Sequence, residues 1–240
     1  MARPDEFAGD SQAASALTTW RNWHRKEITP HDGLVRADHP LLLDILARVQ
    51  SASSLKLLLR SPLGFVWRYG MRLKMPESGS DPLVLDALAM GDLVHMTLDL
   101  ALQGLEANGG LANAGNAAIT AAIEAAAANV AGVWESQRAV PPPVIWRRTL
   151  DDARTLAERA LTYRDEELAD ARSYGEVAFG GATPKTVADS PWNAAASVTI
   201  PETGFAIKGY IDRLDLSGDG TRALVRDYKT GRPPKTNISI

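Results

Sequence analysis

Apolar positions change their period once along this chain. Up to about residue 172 they recur at helical spacing, and from Gly175 onward they alternate with polar positions between turn residues. The clearest helical stretch is PLVLDALAMGDLVHMTLDLALQGL, residues 82–105, with apolar residues three and four apart. Residues 111–134 are so rich in alanine that helix is the favoured state. VPPPVIW, residues 140–146, is a rigid break. The stretch from Thr149 to Gly175 carries acid–base pairs at helical spacing, with Thr149 placed to cap it. Further upstream, HPLLLDILARVQ predicts a short helix. SASSLKLLLRSPLGFVWRYGMRLKM opens on serines fit to cap a helix, which Pro62 interrupts.

The second texture consists of EVAFG, ASVTIP, GFAIKGYIDRLDL and RALVRDYKTG, four β-branched, alternating runs. Helices followed by a strand meander predict an α+β fold: a small mixed sheet flanked by helices. The helical insertion is expected over about 82–172 and the meander over 174–230. Residues 1–50 read as an N-terminal extension, disordered over its first 15 residues, and 51–240 as the main domain. Within that extension, LTTWRNWHRKEITPHDG sets two tryptophans among basic residues.

Composition narrows the chemistry. The 240 residues are 45% hydrophobic and 23% charged, enough for an ordinary core. A net charge of −3 gives no global sign of nucleic-acid binding, although a local basic patch can serve. With no cysteine, disulfides and thiolate metal sites are excluded. The start of the chain has no apolar core of a signal peptide, and no apolar run reaches about 18 residues. The expectation is a cytoplasmic protein without a membrane partner.

The last two strands carry the candidate chemistry. A four-residue loop at 217–220 would set Leu216 opposite Thr221 and Asp212 opposite Val225. Side chains two apart on a strand share a face, as do opposed residues. Asp212, Asp227 and Lys229 would then project from one side, with the two carboxylates diagonal and roughly 7–8 Å apart. Two inward carboxylates can grip a hard cation such as Mg²⁺, and an ammonium beside them can balance phosphate charge. Taken alone, Asp-x-Lys on a strand is ordinarily a solvated ion pair.

Together, GYIDRLDL and VRDYKTG resemble the core of the PD-(D/E)xK nuclease superfamily, more narrowly the RecB and AddB type of nuclease domain. GDLVH, Gly91 to His95, resembles that family's G-x-x-x-H helix, and residues 51–73 resemble its serine-started helix with aromatics. The resemblance implies His95, Asp212, Asp227 and the Tyr228 carbonyl as metal ligands, with Asp212, Asp227 and Lys229 catalytic. Glu176 resembles a glutamate seen before the first strand. Mg²⁺ or Mn²⁺ is the implied cofactor, DNA the implied substrate, and a helicase the implied partner. The implied activity is a metal-dependent deoxyribonuclease of exonuclease type in recombination or repair. Lys56, Arg60, Arg68, Arg72 and Lys74 would track the DNA backbone, or else form a solvated helix face. Two departures stand out. The family's iron–sulfur cysteines are missing, with Ser61 where the first would fall, so no such cluster is expected. The family's closing helix, Gln-x-x-x-Tyr, and a further strand are also missing from these 240 residues, so this reads as an incomplete nuclease domain. The alternative is a nuclease-fold module that has lost its chemistry and binds DNA or scaffolds a helicase–nuclease complex.

Overall fold

The computed structural model describes residues 9–27, 29, 36–74, 82–163, 168, 170–185 and 190–231. The first eight residues and most of the ITPHDG stretch lie outside them. Among the described residues, seven helices and five strands make the α+β architecture that the change of period predicts. The strands run β1-β4-β2, with β3 and β5 also paired to β4. The chain forms two compact units, Met1–Pro76 with Thr199–Ile207, and Glu77–Val198 with Lys208–Ile240.

The first unit opens with α1 (Ser11–Trp23), capped by Asp10, whose carboxylate accepts the Gln12 and Ala13 amides. The helix begins inside the stretch whose composition predicts disorder, because a good cap and several alanines and serines suffice for a short helix. Next come α2 (Pro40–Ala47), β1 (Gln50–Ser51) and α3 (Ala52–Arg60). Ser51 and Ser54 form a reciprocal capping box at the start of α3. As expected, Pro62 ends the run and starts a new turn, α4 (Pro62–Phe65), which continues into a π-helical turn over Val66–Gly70. Lys56, Arg60, Arg68, Arg72 and Lys74 are all exposed in this unit.

In the second unit, α5 (Ala87–Ala107), α6 (Asn116–Gln137) and α7 (Pro143–Thr162) pack on one another. Their shared core holds Leu93, Ile119, Leu161 and the stacked rings of Trp134 and Trp146. Helix α6 is long and apolar enough to cross a membrane by length and composition. Its buried Ile119, Ile123, Ala126, Val130, Ala131 and Trp134 belong to the same core as buried residues of α5 and α7, as in a core helix. Pro143 starts α7 and Thr149 sits inside it, its hydroxyl donating to the Ile145 carbonyl rather than capping. The proline fixes the start earlier, since its ring suits the first helical position.

Strand β2 (Arg172–Phe179) lies antiparallel to β4 (Ala206–Leu216), which also pairs with β5 (Ala223–Arg226); β3 covers only Val198–Thr199. The β4–β5 register corrects the expected one: Leu216 faces Ala223 and Leu214 faces Val225. The Ser217 N–H donates to the Arg222 carbonyl and the Arg222 N–H to Ser217 Oγ, each at 3.0 Å, so the loop is 218–221, one residue later than expected. Asp219 decides this, accepting the Thr221 amide (3.0 Å) and the Ser217 hydroxyl (2.6 Å), while Gly220 takes φ 69°. The register therefore slips by two, an even number, and every side chain keeps its face.

Candidate metal centre

Four segments distant in sequence supply one cluster. His95 sits in the middle of α5, Glu176 in β2, Asp212 in β4, and Tyr228 just beyond the end of β5. One donor atom each from His95, Glu176 and Asp212 lie within 4.8 Å of one another. His95 Nδ1 is 3.4 Å from Glu176 Oε1 and 3.7 Å from Asp212 Oδ1.

Tyr228 locks two of these groups through its main chain. Its N–H donates to Asp212 Oδ2 at 2.7 Å, and its carbonyl lies 3.2 Å from His95 Nε2. A carbonyl can only accept, so Nε2 carries a proton and Nδ1 is left facing the carboxylates. Ligating histidines ordinarily use one nitrogen in this way, bonded to a backbone carbonyl, while the other meets the metal. The Tyr228 carbonyl, expected as a ligand, lies at the cluster, 3.2 Å from His95 Nε2.

Glu176 is the residue whose place the residue pattern alone understates. Gly175 pairs with Arg213 and Val177 with Ile211, so Glu176 and Asp212 fall at the same level of the ladder. Yet Glu176 has φ 45°, left-handed backbone inside a strand. Such a conformation costs of order 1–3 kcal/mol and persists where surrounding contacts enforce it. The enforcing contacts are His95 on one carboxylate oxygen and Lys185 Nζ, 2.7 Å from the other. Lys185 itself lies over the Tyr210 ring. Gly175 is needed beside this residue, because a Cβ there would collide with the Asp99 carboxylate.

The electrostatics favour positive charge at the centre. The hydrogen bond that its ring donates to the Glu176 carboxylate raises His95 above its ordinary 6.5, against the opposing effect of burial, with Asp212 adding to the rise. Burial pushes Glu176 up, but its bonds to His95 and Lys185 outweigh that and leave its carboxyl below the usual range. Burial pushes Asp212 up, and the Tyr228 amide and His95 only partly offset it. Burial likewise raises Asp99, one turn beyond His95, whose Oδ1 has no hydrogen-bond partner. An imidazole and two carboxylates crowded this closely suit a divalent cation, whose charge would remove the cost of burying them together.

Asp227 and Lys229 flank Tyr228 but lie outside the cluster. Their side chains are 64% and 71% exposed and pair with each other at 2.6 Å. The ladder ends at Arg226, so the strand alternation that would aim them inward no longer acts on them. Arg213 and Asp215, by contrast, form a buried ion pair at 2.6 Å. Of the expected ligands, then, the structure gathers His95, Asp212 and the Tyr228 main chain, adds Glu176, and leaves the Asp227 and Lys229 side chains at the surface.

Comparison with known families agrees with this geometry. The family model of the PD-(D/E)XK nuclease superfamily matches residues 50–239, a span that includes all four cluster residues. No curated protein matched the chain.

Proposed function

Since the chain belongs to the PD-(D/E)XK nuclease superfamily, we propose that it is a Mg²⁺- or Mn²⁺-dependent deoxyribonuclease of the RecB/AddB type. In this reading it works at DNA ends during recombination or repair, in the cytoplasm, beside a helicase. The observation that carries it is the convergence of His95, Glu176 and Asp212 from one helix and two strands onto one point.

His95, Glu176 and Asp212 would hold the cation, with the main chain of Tyr228 orienting two of them. A cation held there would supply charge neutralisation for a phosphodiester and a lowered pKa for a neighbouring water. The chain's own residues prepare that place. Asp212 and Glu176 concentrate negative charge there, and Lys185 keeps the Glu176 carboxylate ionised. Tyr228 sets the imidazole with Nδ1 toward the carboxylates. Lys229, held by Asp227 at the rim, offers an exposed ammonium to a phosphate oxygen. Lys56, Arg60, Arg68 and Arg72 supply exposed positive charge for the DNA backbone.

One observation favours a second reading. Asp227 and Lys229 are engaged with each other at the surface, as in a module that binds DNA without cutting it. Digestion of end-labelled linear DNA with Mg²⁺ or Mn²⁺ separates the two, with EDTA, His95→Ala and Lys229→Ala as controls. Metal-dependent cleavage lost in all three controls supports the enzyme; DNA binding without cleavage supports the module. Closed circular DNA in parallel tests the exonuclease assignment, because an enzyme that needs ends leaves it intact.

A further inference from the structure

Past β2 the chain turns back on itself. Gly180 and Gly181 take φ 67° and 84°, which glycine adopts without strain, and the Ala182 N–H donates to the Phe179 carbonyl at 3.2 Å. The return brings Lys185 to Glu176, with Nζ 2.7 Å from Oε2. Tyr210, on β4, holds the returning segment by two contacts. Its hydroxyl donates to the Thr183 carbonyl at 2.6 Å, and Lys185 Nζ lies over its ring, 4.8 Å from the centroid. An aromatic face in this position favours a cation.

The bond to Glu176 uses one of the three donors of the ammonium. The Glu176 side chain is 7% exposed and that of Lys185 is 53% exposed, so the ammonium links a buried carboxylate to solvent. Lys185 and Glu176 also line a cavity of about 420 Å³ with Arg172 and Gln103, within the size range of small-ligand sites. Glu106, in the same wall, is engaged by the Leu111 and Ser173 amides at 3.0 and 3.3 Å. The lysine of the D-Y-K-T-G motif is placed differently: Lys229 pairs with Asp227, an exposed carboxylate outside the cluster.

We propose that Lys185 is a phosphate-binding residue of the metal centre: held by Glu176 and the Tyr210 ring, its ammonium donates to an oxygen of the substrate phosphate. Lysine serves phosphate as a point charge, and here that charge is fixed against a residue of the ligand cluster. The inference rests on the reading of the cluster as a metal centre that takes a phosphodiester.

The test uses the full chain. It has no cysteine, so Lys185→Cys carries a single thiol. The thiolate displaces bromide from bromoethylamine, and the S-aminoethyl side chain so formed restores an ammonium. The parent, treated with the same reagent, is the control. Electron paramagnetic resonance reads Mn²⁺ binding. Relaxation of the phosphorus nucleus of thymidine monophosphate by bound Mn²⁺ reads binding of the nucleotide to the loaded protein. In Lys185→Cys the nucleotide should bind the Mn²⁺-loaded protein about 10-fold more weakly, and alkylation should restore the affinity. Single-turnover cleavage of end-labelled DNA should slow about 100-fold and recover in the same way. Tyr210→Phe keeps the ring but loses the tie to Thr183, and should weaken nucleotide binding several-fold. A role confined to pairing with Glu176 would lower the melting temperature and leave nucleotide affinity of the loaded protein at the parent value, which overturns the proposal. So does an alkylated variant that stays weak, or a parent that binds no Mn²⁺ or no nucleotide. Should Lys185→Cys not fold, Tyr210→Phe decides alone, and unchanged nucleotide affinity there overturns the proposal. A parent that binds Mn²⁺ and nucleotide through Lys185 but does not cut DNA removes the nuclease reading and leaves this inference standing.

Discussion

The three-helix layer and the sheet beside it bury their residues by opposite means. Helices α5, α6 and α7 bury mainly leucine, isoleucine, alanine and two stacked tryptophans, with Thr97 bonded within its own helix and the indole N–H groups of Trp134 and Trp146 donating to Met96 and Glu135. The β2–β4–β5 sheet buries Glu176, Arg213, Asp215, Ser173 and Ser217. Hydrophobic burial is non-directional and tolerates exchange of one aliphatic residue for another. Buried charge tolerates none, because each group depends on a particular partner in a particular orientation. The helical layer is therefore the part that makes the fold stable, and the sheet the part that places chemistry.

That contrast can be broken by mutation. The largest effect on stability is expected from Asp215→Ala, which leaves Arg213 buried without its partner and should cost about 3–5 kcal/mol. Urea denaturation measures it; a loss under ~1 kcal/mol would show that the pair is incidental. Leu161→Ala in the helical layer should cost about 2–5 kcal/mol, yet leave Mn²⁺ affinity of the folded protein unchanged. A drop in that affinity would show that the two regions are not separable.

The reverse pattern is expected at Asp212. Its carboxyl is held above the ordinary range, so Asp212→Asn should fold as well as the parent while losing about 100-fold or more in metal-dependent cleavage. Melting temperature and a cleavage assay, run together, separate the two effects.

The pH dependence sharpens the comparison further. His95 has its folded pKa raised above 6.5, so its stabilising effect is present in full below 6.5 and lost as pH rises through the raised value. In EDTA the melting temperature should fall across that window, and the fall should vanish in His95→Ala. Mn²⁺ must displace the Nδ1 proton, so its affinity should rise over the same window. An affinity that falls with pH there would remove His95 from the ligands. The smallest effect is expected in the first unit: Lys56→Ala with Arg60→Ala should lower the salt dependence of DNA binding by roughly 1 for each lost phosphate contact, with cleavage at saturating DNA unchanged. An unaltered slope would assign them to a solvated helix face.

Much of the fold was legible from spacing. The periodicity of residues 82–105 marks α5, the alanine run marks α6, and Pro62 marks the break between α3 and α4. Strand β4 follows from its alternation over GYIDRLDL. Of the site, His95 and Asp212 were legible through the flanking motifs, and the structure brings them within 3.7 Å. Asp99, four residues past His95 on the same helix, showed nothing of its burial in its spacing alone. Lys185 had no signal at all, since its role comes from the Glu176 carboxylate it meets.

Local chemistry thus determined the elements, the parity of the hairpin and the residue types available to a metal centre, because propensity, period and turn residues act between near neighbours. Only tertiary structure decided which of those residues meet. The side chain of Asp219 moved the loop by one residue, and an even slip preserved the faces. The left-handed turn at Glu176 exists because His95 and Lys185 hold it, two partners that no local pattern connects to it. Asp227 and Lys229 sit at the surface because the ladder stops at Arg226, and Tyr228 faces the cluster because its ring is anchored in a core built by helices more than sixty residues upstream. Those placements depend on long-range contacts, whose free energy is won only when the whole sheet and helical layer have formed.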